Sequence, residues 1–182
     1  MVIEKETGDK DMQNTVIDTI IKRRSCKKYK SEQIKDEELN AILEAGKWAA
    51  NGMGRQSPIM VVVQDKETRN MLSKMNAMGR EGDPFYNAPT VVIVLADKNV
   101  FTCVEDGSLV IGNMMLAASS LGVGSCWIHR AREEFDSEEG KALLKKWGIE
   151  GDYIGVGHCI LGYPDGEYRE AKPRKDNYVY RV

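Results

Sequence analysis

The chain has 182 residues, of which 42% are hydrophobic and 30% charged, with a formal net charge of -2. This length supplies one sizeable core, so we expect a single domain over residues 1–182 with a polar lead-in over residues 1–14. The balanced charge argues against nucleic acid or an anionic membrane surface as a partner. No apolar run approaches the roughly 20 residues that span a bilayer. Scattered cysteines without an export signal favour reduced thiols and a cytoplasmic location.

The N-terminal half alternates between helical and strand-like patterns. Apolar side chains within residues 16–21 form one helical stripe. A second helix is predicted to begin at Asp36, a good N-cap residue, and to end in the glycine-rich stretch that follows Ala49. The β-branched run at residues 59–63 has no polar alternation, which predicts a strand covered on both faces. The apolar spacing of Met71, Leu72, Met75 and Met78 then predicts a helix.

The C-terminal half continues this alternation. Residues 90–96 form a second apolar strand pattern, and residues 108–122 a helix that is apolar nearly all round. Such a helix belongs in a protein core or a subunit interface. Two further strands, at residues 124–128 and 153–164, flank a helix that Ser137 caps. The pattern indicates an α+β or α/β domain with helices on both faces of a central sheet.

Several common catalytic motifs are missing from the sequence. It contains no P-loop, no dinucleotide-binding fingerprint and no nucleophile elbow. Cys126 with His129 or His158 would form a nucleophile and base pair. A buried thiol is the stronger interpretation, because Cys126 falls in an apolar strand. Two histidines also leave little material for a zinc site, so we expect no metal.

A basic run follows the first helical stripe and contains Arg23, Arg24, Ser25 and Lys27. A guanidinium fork, an ammonium point charge and a hydroxyl are all suitable donors to phosphate oxygens. Taken alone, a solvated charge run at a helix end explains the pattern better. The basic run therefore does not decide by itself whether it binds an anion.

The glycine-rich stretch "AANGMGRQSP" joins the second helix to the first strand. Its side-chain amides, Asn51 and Gln56, both donate and accept hydrogen bonds, and its glycines let a flat ligand approach the backbone. A planar heterocycle with adjacent carbonyls and ring nitrogens needs such an edge. An ordinary helix end followed by a loop explains the stretch equally well.

Four segments, taken together and in order, resemble the nitroreductase family. "RRSCKKY" resembles its R-R-S-x-R/K-x-[FY] opening, and "AANGMGRQSP" its A-P-S-x-x-N-x-Q-P-W flavin loop. "DGSLVIGNMMLAASSLGVGSCWI" is similar to its long central helix and the G-x-G-[ST]-x-W-I strand. "LGYPDGEYREAKPRK" is similar to its closing G-Y-P…K-P-R segment. Together the matches cover most of residues 15–176.

The resemblance implies a three-layer α+β fold whose mixed or antiparallel central sheet is flanked by helices. It further implies an intertwined homodimer that binds FMN at the subunit interface. The implied activity is a ping-pong oxidoreductase reaction, in which NADH or NADPH gives hydride to the flavin. After the nicotinamide leaves, a nitroaromatic or quinone-type acceptor occupies the same position and is reduced by the flavin. The cofactor carries this chemistry, so no side chain is expected to act as a catalytic acid.

The resemblance also implies roles for individual positions. Two basic segments match the positions that bind the phosphate and ribityl oxygens of FMN. The glycine-rich stretch matches the positions that contact the ribityl chain and the pyrimidine edge of the flavin. One strand end packs on the flavin face away from substrate, where a backbone N–H commonly reaches flavin N5. The two basic segments contribute Arg23, Arg24, Ser25, Lys27, Lys172 and Arg174. The glycine-rich stretch contributes Asn51 and Gln56, and the strand end contributes Trp127, Ile128, His129 and Arg130.

The chain departs from the family pattern in the glycine-rich stretch, where Ala50-Asn51 replaces A-P-S. The segments that shape the substrate mouth in longer members are also small here. Two alternatives stay open. One is an FMN enzyme of the same fold with a dedicated substrate, for example in reductive dehalogenation. The other is a non-catalytic dimer that binds a phosphorylated ligand without turnover.

Overall fold

The computed structural model describes residues 14–182, so the polar lead-in lies almost entirely outside the described residues. Four strands form one antiparallel sheet, in which β1 pairs with β2, β2 with β4, and β4 with β3. The strands are β1 (Pro58–Val63), β2 (Thr90–Asp97), β3 (Gly124–Ile128) and β4 (Tyr153–Gly162).

Helices cover both faces of this sheet. Within residues 14–182, no helix combines the length and the apolar character needed to cross a bilayer. The helices are α1 (Thr15–Lys22), α2 (Asp36–Lys47), α3 (Lys66–Ala77), α4 (Cys103–Ser120), α5 (Ala131–Asp136) and α6 (Glu138–Lys146), and 3-10 turns lie at Gly52–Gly54 and Asp176–Tyr178.

Two apolar layers explain why the central strands lack polar alternation. Successive residues of β2 point to opposite faces, and every residue from Val91 to Ala96 is fully buried. Val92 and Val94 pack with the apolar side chains of α2 and α4, and Ile93 packs with those of α3, α5 and α6. The three-layer α+β fold predicted from the sequence is confirmed, with an antiparallel sheet.

The prediction that residues 59–63 form a strand covered on both faces is wrong. They belong to β1, which lies at the edge of the sheet and pairs only with β2. Val62 is 37% exposed, and Val63 alone in this strand is buried. An apolar run therefore identified the strand but not its place in the sheet, which depends on pairing with distant residues.

The helix starts agree with the sequence pattern in part. Ser137 caps α6 as predicted, because its Oγ accepts a hydrogen bond from the Gly140 N–H at 3.0 Å. Asp36 is the first residue of α2 rather than its N-cap. The N-cap is Lys35, whose backbone N–H donates to the Glu38 carboxylate at 3.0 Å.

Candidate cofactor site

The basic run lies beside β3. The Cys26 N–H donates to the Ser125 carbonyl at 2.9 Å, and Ser25 forms a parallel bridge with Ser125. Cys26 is buried while its neighbours Ser25 and Lys27 are exposed, as expected for extended backbone whose side chains alternate. The sheet therefore presents Ser25 and Lys27 together on the outer surface.

The two arginines of this run differ in their hydrogen bonding. Nη1 of Arg24 donates to the backbone carbonyls of Ile21 at 2.6 Å and of Arg23 at 2.8 Å, so it stabilises the end of α1. Nη1 of Arg23 is buried and has no partner within residues 14–182. A buried donor without an acceptor is costly, so Arg23 is the arginine that suits a bound anion.

The thiol of Cys126 lies beneath the basic run. Burial raises the pKa of Cys126, while the nearby Ser25 and the charges of Lys27 and Arg23 partly counteract that rise. Arg23, Ser25 and Lys27 lie within five residues of one another in the run that pairs with β3, and we call them the basic cluster. Cys126 itself is a buried thiol at its base, as the strand pattern predicted.

The C-terminal segment returns to the same region. The Asp165 N–H donates to the Lys28 carbonyl at 3.0 Å, and the two side chains form a salt bridge at 3.0 Å. Tyr29 and Pro164 form an antiparallel bridge beside this pair. The stretch that follows α1 and the stretch that follows β4 are therefore adjacent.

A cleft of about 190 Å³ lies between these two stretches and is lined by Ser25, Lys27 and Arg169, among others. Arg169 is a cation that the sequence motifs did not single out. Lys172 and Arg174 lie further along the exposed tail. Within residues 14–182, neither of them makes a hydrogen bond or salt bridge with the basic cluster.

A larger cleft, of about 440 Å³, lies at the end of β3. It is bounded by the C-terminal end of α3, the loop at residues 80–86 and all four predicted residues of the strand end, Trp127, Ile128, His129 and Arg130. Tyr86 lines this cleft, and Nζ of Lys27 lies 5.3 Å from the centre of its ring. The basic cluster and the cleft are therefore contiguous.

Asp83 fixes the loop on one side of the cleft. Its carboxylate accepts hydrogen bonds from Arg69, from the Ser73 hydroxyl at 2.6 Å, and from the N–H groups of Phe85 at 2.9 Å and Asn87 at 2.6 Å. Burial by itself would raise the pKa of Asp83, but these hydrogen bonds outweigh it and lower the pKa. The loop is therefore shaped by an ionised carboxylate that the sequence analysis missed.

A glycine fixes the other side of the cleft. Residue 130 is followed at once by α5, which packs closely on β4. A Cβ atom on Gly155 would lie only 2.0 Å from the Ala131 carbonyl oxygen. The missing side chain thus lets the start of α5 contact the sheet backbone, which fixes where the β3–α5 turn emerges.

The glycine-rich stretch is organised separately, near the start of β1. Oδ1 of Asn51 accepts a hydrogen bond from the Gln56 N–H at 2.9 Å, which closes the loop on itself. The carboxylate of Asp106, in the first turn of α4, accepts from the Gly52 N–H and the Ser57 hydroxyl, both at 2.9 Å. This loop is therefore also shaped by one aspartate.

Gln56 has an unusual conformation in this loop. Its φ of 50° lies in the left-handed region, which is uncommon for a residue other than glycine and indicates a conformation that its surroundings impose. Its side chain is exposed, and it makes no hydrogen bond within the described part of the chain. The amide of Gln56 is thus available to a ligand, whereas that of Asn51 is largely used by the loop.

One protomer does not bring the two halves of the predicted site together. The glycine-rich stretch precedes β1, the basic cluster lies beside β3, and β2 and β4 separate those strands. Strands in a sheet lie about 4.8 Å apart, so the two edges are separated by roughly 14 Å. Arg23, Ser25 and Lys27 converge with residues 127–130, while Asn51 and Gln56 lie apart from them.

The fold and sequence define the class of protein. The nitroreductase family model matches residues 20–81 and 74–163, so the chain belongs to the nitroreductase family. A nitroreductase with bound FMN from Bacteroides fragilis is 31% identical, with a TM-score of 0.84 over 93% of this chain and 100% of that one. A nitroreductase with bound FMN from Desulfitobacterium hafniense is 27% identical, with a TM-score of 0.84 over 94% of this chain and 100% of the other.

Relatives known from their sequences agree with this membership. An Archaeoglobus fulgidus protein named as an NADH dehydrogenase/NAD(P)H nitroreductase is 34% identical over 85% of this chain and 90% of its own length. The NADPH-flavin oxidoreductase of Vibrio harveyi is 29% identical over 91% of this chain and 72% of its own length.

Proposed function

We propose that the protein is an FMN-dependent oxidoreductase that uses NADH or NADPH to reduce a small-molecule acceptor of the nitroaromatic or quinone type in a ping-pong reaction. When bound, FMN supplies the hydride chemistry, and the protein supplies binding and orientation. The observation that carries the proposal is the buried, unpartnered Nη1 of Arg23 in a basic cluster contiguous with a cleft of about 440 Å³. Family membership agrees with this activity.

The basic cluster fits the phosphate end of the cofactor. Arg23 provides the donor that lacks an acceptor, Ser25 a hydroxyl and Lys27 a positive charge. A phosphate monoester carries nearly two negative charges at neutral pH, which accounts for gathering cations at one point. Lys172 and Arg174 would add positive charge from the C-terminal tail, whereas Arg24 mainly stabilises the end of α1.

The cleft at the end of β3 fits the ring end. We place Trp127, Ile128, His129 and Arg130 against one face of the flavin, as the resemblance implies. Lys27 lies between the basic cluster and this cleft, so the ribityl chain would run past it. The residues of the cleft act by orienting the ring and excluding water from one of its faces.

The separated glycine-rich stretch supports a homodimer. Asn51 and Gln56 lie across the sheet from both the basic cluster and residues 127–130 of the same protomer, so an FMN that lies along the β3 side would not reach them. In a two-fold symmetric dimer, they would instead complete the site of the second copy. Each site would then combine the β3 side of one protomer with the β1 side of its partner.

Exposed apolar surface supports the same assembly. Side chains of α1 are unusually exposed, and a groove of about 330 Å³ lies between α1 and α4. Every residue of the tail from Asp165 to Val182 is exposed as well. We propose that these surfaces are covered in an intertwined homodimer of single-domain chains over residues 1–182, in the cytoplasm. The exposed α1 residues are Val16, Ile17, Ile20 and Ile21.

The first test is the visible spectrum of the purified protein. The expected result is a yellow protein that bleaches when NADH or NADPH is added without oxygen and regains its colour when a quinone follows. A protein that stays colourless after incubation with FMN would overturn the proposal. A protein that binds FMN but is reduced by neither nicotinamide would support ligand binding without turnover.

The second test uses the two neighbouring arginines as a matched pair. Arg23→Gln removes the unpartnered cation and should weaken FMN binding roughly tenfold to a hundredfold, the range expected for hydrogen bonds to a charged group. Arg24→Gln removes hydrogen bonds at the end of α1 and should weaken FMN binding about threefold or less. Titration of the apoprotein with FMN measures both. Equal losses of FMN affinity in the two variants would show that the phosphate does not bind at Arg23.

A further inference from the structure

The turn between β3 and α5 contains a backbone conformation that must be held in place. Arg130 has φ 74° and ψ 11°, in the left-handed region, although it is not a glycine. A residue in this region costs on the order of 1 kcal/mol and persists only where the surroundings impose it. A contact from another element must therefore hold Arg130 in this conformation.

Asn76, in the last turn of α3, makes that contact. Its Nδ2 donates to the His129 carbonyl oxygen at 2.7 Å, and Nη1 of Arg130 donates back to the Asn76 carbonyl oxygen at 3.2 Å. Asn76 is only 2% exposed, whereas His129 is exposed, so the two hydrogen bonds link a buried side of α3 to the surface turn. Helix α3 and the turn after β3 are therefore tied together in both directions.

This contact also determines the direction of a backbone donor. The peptide unit between His129 and Arg130 is planar and trans, so its N–H points opposite to its C=O. Because the carbonyl points to Asn76, the Arg130 N–H points away from α3. Within residues 14–182, no acceptor is bonded to that N–H. The donor is thus oriented and free.

We propose that Asn76 is a positioning residue for the flavin reaction. It fixes the His129–Arg130 peptide so that the Arg130 N–H is presented to the edge of the flavin ring rather than to α3. This inference rests on the proposed function, because it requires the ring to lie against residues 127–130. Asn76 lines the cleft but is only 2% exposed, so it would act through this peptide rather than on the reacting atoms.

The test is Asn76→Asp, which keeps the size of the side chain but replaces its N–H donor with an oxygen that repels the His129 carbonyl. In the FMN-loaded protein, flavin reduction by NADH in stopped flow should slow by about tenfold or more, since small misplacements at a reacting centre are costly. The visible absorption band of the flavin should shift. FMN affinity should change by no more than about threefold, because the phosphate contacts remain.

Gln33→Glu is the matched control, because it also removes a side-chain amide donor from backbone carbonyls, those of Gln64 and Pro89. It should lower the melting temperature while leaving the flavin spectrum and reduction rate close to wild type. If Asn76→Asp does not fold, Asn76→Ala replaces it as the test variant. Asn76 variants with the wild-type spectrum and reduction rate would overturn the inference. A wild-type protein that binds no FMN would overturn the proposed function instead.

Discussion

Two loops of the molecule are each shaped by one aspartate, but with different partners. On the β3 side, Asp83 holds the loop beside the larger cleft and is paired with Arg69, whose side chain is 8% exposed. On the β1 side, Asp106 holds the glycine-rich stretch through a backbone N–H and hydroxyl groups only. The first carboxylate balances a buried cation, whereas the second has no cation as a partner among residues 14–182.

This difference predicts unequal effects of the two aspartates on the stability of the protomer. Removing the charge of Asp83 would leave the buried guanidinium of Arg69 without its counter-ion, and an uncompensated buried charge is among the most destabilising defects. Removing the charge of Asp106 would weaken its hydrogen bonds to a backbone N–H and to hydroxyl groups, but it would leave no buried cation uncompensated, so the expected loss is smaller. We therefore expect the β3 side to determine the stability of the protomer, while the β1 side provides a loop for its partner.

The largest expected effect tests whether the two sides belong to different copies. Arg23→Gln damages the β3 side, and the double variant Asn51→Ala, Gln56→Ala damages the β1 side. Each homodimer should lose about tenfold or more of its NADH-driven activity. A heterodimer of the two would contain one doubly damaged site and one intact site, so about half of the wild-type activity should return.

The heterodimer is isolated by placing a different affinity tag on each variant and assaying only protein that carries both tags. FMN content gives a second reading, because one intact site should retain the cofactor at a concentration that leaves both parent homodimers empty. Mixed dimers that are as inactive as their parents would place both sides in one protomer and contradict the shared site.

The next effect concerns Asp83. Asp83→Asn should lower the free energy of unfolding by about 3 kcal/mol at pH 7, because it leaves the charge of Arg69 uncompensated. Urea denaturation measures this loss. Asp65→Asn is the control, since Asp65 caps the same helix and asparagine is an equally good N-cap. A loss no larger than that of the control would show that the Arg69 pair contributes little.

The pH dependence of this contribution has a definite sign. The pKa of Asp83 is lowered in the folded protein relative to the usual 3.8, so its contribution is fully present above that value. It is lost as the pH falls from about 3.8 through the lower folded pKa. The stability difference between wild type and Asp83→Asn should therefore be constant from pH 7 to pH 5 and shrink in stronger acid.

The sequence predicted the elements of the fold well but identified only part of the buried face of α3. Of the four apolar residues that indicated this helix, Leu72 is fully buried, whereas Met71 and Met78 are exposed. The rest of the buried face is largely polar, with Arg69, Ser73 and Asn76 at helical spacing. Burial of those polar groups depends on Asp83 and on the His129 carbonyl.

The parts of the site that could be predicted are those with local sequence patterns. The basic run, the glycine-rich stretch and the strand end each appear as short motifs, and the structure brings the first and third together. The sequence could not distinguish Arg23 from Arg24, because their different partners depend on how α1 ends. A polar stripe of spacing i, i+4, i+7 before an Asp-Pro loop was the available signal for Asp83 and Asn76.

The smallest expected effect concerns Asp106, which is 2% exposed. Asp106→Asn keeps one acceptor oxygen but replaces the other with an N–H donor, so either the Gly52 N–H or the hydroxyl groups of Ser57 and Thr102 lose their acceptor. We expect the free energy of unfolding to fall by about 1–2 kcal/mol, less than for Asp83→Asn, because no buried cation loses its counter-ion. FMN binding should still weaken, since the loop no longer presents Gln56 in its constrained conformation. A loss of stability equal to that of Asp83→Asn would remove the distinction between the two sides.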